Sequence, residues 1–255
     1  MNMENQSSPV APAAAPASVW SGIYRVFYEP SKFFAGLANK KAWLLPLLII
    51  AVVGTIVGHV TRPLYVKDMI PVAEARIEEY RQYMGEERYN AAKERLEESK
   101  IEAAKNEFKW YYPLISLVLP MVVFSIIALV VMLFGKVIFK GGAGFWTVVN
   151  VIAFAALIGL LGDVFRGVMM LMKDTMRVYT GLGLLRPLDD GTFLFYLLRQ
   201  IDAFSVWRIV ATAIGLGTVF KMSTARFLWV LIPFWLIIIS LVAFLNIFSG
   251  GSIVY

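Results

Sequence analysis

The 255-residue sequence contains no cysteine and a single histidine, His59. Without cysteine there is no disulfide framework, thiolate zinc site, iron–sulfur ligation or cysteine nucleophile. With one histidine the H-E-x-x-H metal arrangement is excluded, and a Ser-His-Asp triad could pass only through His59. Charge is also scarce. Charged residues make up 16% of the chain and hydrophobic ones 59%, whereas a soluble domain carries about 25% charged residues. That excess is too large for one water-soluble core, which must cover its surface with polar groups.

What is present is apolar sequence in long blocks, and a block of about 20 residues is what a bilayer core demands of a helix. Five are evident, at 43–60, 112–139, 145–172, 192–220 and 227–248. The expected fold is therefore an all-α, polytopic membrane bundle of five transmembrane helices, occupying 42–255 with a charged helical insert at 62–109. Residues 1–17, MNMENQSSPVAPAAAPA, offer nothing to bury and are expected to form a disordered tail.

The net charge is +6, which in a soluble protein would suggest nucleic acid. Here the position of the cations points to membrane orientation instead, and no nucleic-acid partner is expected. Arg25, Lys32, Lys40 and Lys41 precede the first block. Lys136 and Lys140 fall between the second and third, and Lys221 and Arg226 between the fourth and fifth. All three regions lie on one side of a five-span chain, so the positive-inside rule predicts a cytosolic N-terminus and an outer C-terminus. On the other side, Lys173, Arg177 and Arg186 are balanced by Asp174, Asp189 and Asp190.

Two polar stretches flank or interrupt the spans. In 18–41, Trp20, Ile23, Phe27, Phe33, Phe34 and Leu37 recur at roughly helical spacing around Pro30. Aromatic residues mixed with cations predict a segment lying at the membrane surface, with Trp20, Phe27, Phe33 and Phe34 as its apolar contacts. The insert 62–109 carries 11 acids and 10 bases, interleaved at spacings that support a solvated helix. Gly85 is expected to divide it into a hairpin or a bent rod.

Candidate chemistry is confined to charges inside the third and fourth blocks. Asp163 and Arg166, with Arg199 and Asp202, are expected to meet as one compensated cluster if those helices are antiparallel neighbours. Counted inward from the outer ends, the two aspartates would lie about ten residues deep, roughly 14 Å. Arg208, deeper, is expected to snorkel toward the inner headgroups. The cluster either fixes helix pairing or forms an ion or lipid-headgroup site. An intramembrane aspartyl protease is disfavoured, because the Tyr-Asp and Gly-x-Gly-Asp motifs are absent around Asp163 and Asp202. Gly54 and Gly58 form G-x-x-x-G, which predicts close helix packing. The glycines at 141–144 lack the Gly-Lys-Ser/Thr ending of a phosphate loop. No catalytic residue, cofactor or metal site is expected, and the chain is read as no enzyme.

Trp20-x-x-Ile23-x-x-x-Phe27-x-x-Pro30-x-x-Phe33-Phe34, followed by Trp43 and Pro46, resembles the opening segment of bacterial members of the Yip (Ypt-interacting-protein) family. Asp202-x-Phe204-Ser205-x-Trp207, continuing to Gly215-x-Gly217, resembles their fourth span. The likeness covers Trp20 to about Phe248 except the insert. It implies five spans, a cytosolic N-terminus and no catalytic residues, and places the chain in a bacterial inner membrane. Eukaryotic relatives bind Rab-type GTPases. Their Asp-Leu-Tyr-Gly-Pro signature is absent here, so GTPase binding is not carried over. The resulting expectation is an integral membrane scaffold or adaptor for a protein partner, with a second copy of the chain as a further candidate. The rival is a small channel, transporter or lipid-handling protein that uses the Asp/Arg cluster.

Overall fold

The computed structural model describes residues 18–37, 41–185 and 191–249. The 1–17 tail, Lys40, Arg186, Asp189, Asp190 and Ser252 lie outside them. The architecture is all-α: α1 (Gly22–Tyr28), α2 (Pro30–Gly36), α3 (Leu44–Glu79), α4 (Glu86–Lys105), α5 (Tyr111–Met132), α6 (Phe145–Lys173), α7 (Phe193–Leu198), α8 (Ala203–Phe220) and α9 (Thr224–Ser249). Among the described residues five helices, α3, α5 with its continuation, α6, α8 and α9, are long and apolar enough to cross a membrane. The chain is thus an integral membrane bundle by length and composition.

The central helix is α6, which packs on α3, α5 and α8. Val148, Val151, Ala153, Phe154 and Ala155 on it are fully or almost fully buried. The outer helices show the reverse pattern, with Leu48, Val52 and Ile56 of α3 and Val118, Leu119 and Val122 of α5 exposed. Apolar exposure of that kind suits hydrocarbon rather than water as the surrounding medium.

Three features differ from the sequence expectation. First, α3 does not stop at Val60 but continues for 36 residues to Glu79, through Pro63 and Pro71. A proline removes one rung of the helix and kinks it, yet need not end it when later turns are good helix formers. The helix α4 then returns antiparallel beside α3, after a turn at Arg81–Tyr83. The resulting hairpin is tied by Lys93–Glu78 (3.0 Å), by Lys100–Glu74 and by the Tyr89 hydroxyl donating to Glu78 (2.6 Å).

Secondly, the block 192–220 is not one helix. It breaks at 199–202 into α7 and α8. The cause is Asp202, whose side chain caps α8 by accepting from the Ser205 backbone N–H at 2.7 Å, while the Ser205 hydroxyl accepts from the Asp202 N–H at 3.0 Å. This reciprocal pairing satisfies donors at a helix start that a bilayer would leave unpaired. Asp202-x-x-Ser205 was the available signal.

Thirdly, α1 and α2 turn one face into the bundle, although Tyr24 and Tyr28 on the other face, with Trp20 just before α1, stay exposed. Val26, Phe33 and Phe34 are buried against α6 and α8. The Trp207 indole N–H donates to the Phe27 carbonyl at 3.2 Å. The close approach is possible because Gly22 and Gly215 lack side chains. A Cβ on Gly22 would sit 2.3 Å from Phe33, and one on Gly215 would sit 2.7 Å from Phe34.

The hairpin salt links have a definite pH signature. Lys100 is held above the ordinary lysine value of 10.5, chiefly by its hydrogen bond to Glu74 and then by Glu97. A raised lysine pKa contributes stability that is complete below the unfolded value and lost as pH rises through the folded one. On the alkaline side the hairpin is therefore expected to loosen only in strongly alkaline solution. On the acid side it should loosen as Glu78, held below its ordinary value chiefly by the Tyr89 hydroxyl and then by Lys93, takes up its proton. Both are read by amide exchange in α4. Loosening already at about pH 9 would contradict this assignment.

Candidate functional site

The charged residues of α6 and α8 gather at the end of the bundle that carries the hairpin. Asp163 stands about 27 Å along α6 from Phe145, and Asp202 about 27 Å from Phe220 along α8. With a hydrocarbon core of about 30 Å, both lie near its hairpin-side boundary. Asp202 stands at the start of α8, at the break from α7, rather than ten residues inside one continuous helix.

Three of the four expected residues come together. The Arg166 Nη2 donates to Asp202 Oδ2 at 3.2 Å, and Arg166 Nη1 is 3.8 Å from Asp163 Oδ1. Thr180 also donates to Asp202 Oδ2, at 3.4 Å. Asp202 is therefore consumed on both oxygens: Oδ1 caps α8 and Oδ2 takes the arginine and the threonine. Its side chain is 5% exposed. Asp163 differs. Its side chain is 60% exposed, and its ion pair with Arg166 is long.

Arg199 turns away from this group, contrary to the expected four-membered cluster. It is buried, its Nη2 donates to Asn246 Oδ1 at 2.9 Å, and its guanidinium lies over the Tyr196 ring. The break between α7 and α8 re-aims it toward α9. Arg208 lies against Gly159 of α6 and lines a cavity of about 270 Å³ among α5, α6, α8 and α9.

Asp163 and Arg166 open into a larger cavity of about 530 Å³ between α3 and α6, closed on the α3 side by Gly54, Gly58, Thr61 and Arg62. Sequence reasoning did not bring Arg62 to this site, since it read that residue as the start of a separate insert. Its polar contacts are near the limit of reach: Nη1 donates to the Glu107 carbonyl at 3.3 Å, and Nη2 lies 3.9 Å from Glu102, while the guanidinium also lies over the Tyr112 ring at 5.6 Å. The G-x-x-x-G pair was expected at a tight helix contact. A Cβ on either Gly54 or Gly58 would instead meet nothing within 4 Å. These glycines line open space.

The surface set expected in 18–41 divides. Phe33 and Phe34 belong to the core, Phe27 packs against it, and Trp20 is exposed. The exposed partners of Trp20 are Tyr24 and Tyr28, whose rings stack 6.3 Å apart. Arg25 and Lys32 both pair with Glu29, which neutralises much of the charge on this short pair of helices. Among the described residues no group of His, Asp and Glu side chains could hold a metal. Comparison with protein-family models, curated proteins and solved structures finds no match to the chain.

Proposed function

We propose that the chain is a non-enzymatic membrane scaffold or adaptor of the Yip-like type, which engages a protein partner through the α3–α4 hairpin. The observation that supports this reading is the economy of α4. Over 20 residues it buries one described side chain, Tyr89, and leaves its charged faces and Ile101 exposed. Such a helix adds little to a core, yet it is fastened to α3 by several ion pairs. A rigid, charged surface that the bundle does not need for folding suits recognition, and charge interleaving gives a partner register more than raw affinity. Tyr80 and Tyr83 at the hairpin tip, both exposed, are of the type enriched at contact centres.

In this reading Lys41, Lys136, Lys140, Lys221 and Arg226 mark the cytosolic end, as the positive-inside rule requires. The N-terminus is then cytosolic, the hairpin outside, and the membrane that of a bacterial cell. Because the chain has no cysteine, single-cysteine labelling has no background. A cysteine at Ala91, which is exposed, is expected to react with an impermeant reagent in intact cells, and one at Ser31 is not. The reverse pattern overturns the orientation. A photocrosslinker at Ala91 in native membranes is expected to capture a protein reproducibly. Lipid crosslinks alone, there and at Ser31, would overturn the adaptor reading.

A further inference from the structure

We infer that the α3–α6 cavity is a binding site for a zwitterion carrying an ammonium and a phosphate, supplied by the headgroup of an ethanolamine phospholipid. The inference does not depend on whether the hairpin binds a partner. It starts from Asp163. A carboxylate at the edge of a bilayer core is costly unless a cation faces it. The Asp163 side chain is 60% exposed and lines the cavity, and its ion partner among the described residues is an arginine 3.8 Å away that is already committed to Asp202 at 3.2 Å. Arg208 also acts on it from beside Gly159, one turn away. Yet neither arginine is within hydrogen-bond distance, and a primary ammonium with three donors is the close complement such a carboxylate lacks.

The opposite charge of the ligand has its own partner. Arg62 lines the same cavity from α3, about 27 Å from Leu44 and so near the level of Asp163. Its contacts to Glu107 and Glu102 are long, leaving guanidinium donors for a phosphate, the ligand whose geometry they match. Tyr65 adds a hydroxyl on the same wall, while the Thr61 hydroxyl donates to the Val57 carbonyl at 2.8 Å. Arg62 also lines a second space of about 290 Å³ toward α5, with His59. The Nδ1 of His59 is buried and has no hydrogen-bond partner among the described residues, and a buried polar atom without one calls for an explanation. Gly54 and Gly58 line both spaces. An anionic lipid without an amine would satisfy Arg62 but leave Asp163 facing repulsion. The arrangement therefore favours the zwitterion over the anion.

The vacant space beside the glycines supplies the test. Leucine at Gly58 meets no neighbour at its Cβ, so the Gly58→Leu variant should fill the cavity while the bundle folds. Gly54→Leu is made in parallel, so that a folding defect in one leaves the other. Full-length protein is extracted from nanodiscs containing equal phosphatidylethanolamine and phosphatidylglycerol, and retained lipid is counted by native mass spectrometry. Wild-type protein is expected to keep phosphatidylethanolamine preferentially. The filled variants should lose it, and Asp163→Asn should lower the preference by roughly tenfold, as loss of one charge-assisted hydrogen bond implies. Retention in the bath ratio by wild type, or unchanged retention by a folded Gly58→Leu or Gly54→Leu protein, overturns the inference. Thermal protection of lipid-stripped protein by soluble glycerophosphoethanolamine, with no lipid retained, would keep the zwitterion chemistry and overturn the lipid as its source.

Discussion

Asp202→Ala is expected to destabilise the bundle by about 3–5 kcal/mol, the range for breaking a buried ion pair from one side. Loss of a helix cap costs about 1 kcal/mol of its own. The side chain of Asp202 is 5% exposed and serves three donors: Ser205 N–H at 2.7 Å, Arg166 at 3.2 Å and Thr180 at 3.4 Å. Alanine removes both acceptor oxygens, and with them all three bonds, at once. It leaves the first turn of α8 unsatisfied and Arg166 facing only a distant Asp163. Because Arg166 retains 22% exposure, water can soften the loss, which places the expectation toward the lower end. Asp202→Asn provides the internal control. It keeps an oxygen for Ser205 but removes the charge, so its loss should be intermediate. Adding Arg166→Gln to Asp202→Asn should cost less than the two single changes summed, since neither charge is then left alone. Unfolding midpoints in detergent measure the four variants against wild type. If Asp202→Ala melts with wild type, the aspartate does not hold α6 to α8.

This residue also shows how far the sequence could be read. The number of membrane-crossing helices followed from block length, because a bilayer imposes a minimum run of apolar residues that few other environments require. The approach of Asp163 and Arg166 to Asp202 followed from antiparallel neighbours. What failed was the treatment of hydropathy as continuity. The run 192–220 is apolar enough on average to read as one span despite Arg199, Asp202 and Arg208, but hydropathy does not register a capping box, and Asp202 with Ser205 ends one helix and starts another. The same blindness worked in reverse at Arg62. A change from apolar to charged sequence looked like a boundary, whereas helix geometry ignores polarity and carried α3 on to Glu79. Arg62 was thereby separated in the reading from the cavity it lines. The positions of Gly54 and Gly58 were legible, but not what stood opposite them, since small residues permit contact without requiring it.

The second large effect concerns the N-terminal helices, where the aromatic spacing and the fold assign Phe33 and Phe34 to different surroundings. In the fold, Val26 and Phe33 have no exposed surface and Phe34 almost none; in a segment whose aromatic face meets the membrane, Phe33 and Phe34 would face lipid. A cysteine at Val26 distinguishes these states, being small enough to fit and labelled only when α1 leaves α6. Expected labelling with a thiol reagent is very slow in the otherwise wild-type protein. Gly215→Leu should make it fast. The Cβ alone would stand 2.6 Å from Val151 and 2.7 Å from Phe34, and the remaining leucine atoms demand further room. Overpacking of a core usually costs about 1–3 kcal/mol, and a large element absorbs it by small shifts. Helices α1 and α2 have seven residues each, too few to hold helical form without the surface they rest on. They should therefore undock as a unit, giving up about 1.5–3 kcal/mol for each large apolar side chain exposed. The bundle of α3, α5, α6, α8 and α9 should survive, seen as a cooperative melt at a lower midpoint. Continued protection of the cysteine in folded Gly215→Leu protein would mean that Phe34 is not anchored by α8. Fast labelling before any glycine is changed would return the segment to the membrane surface, where the aromatic spacing alone had placed it.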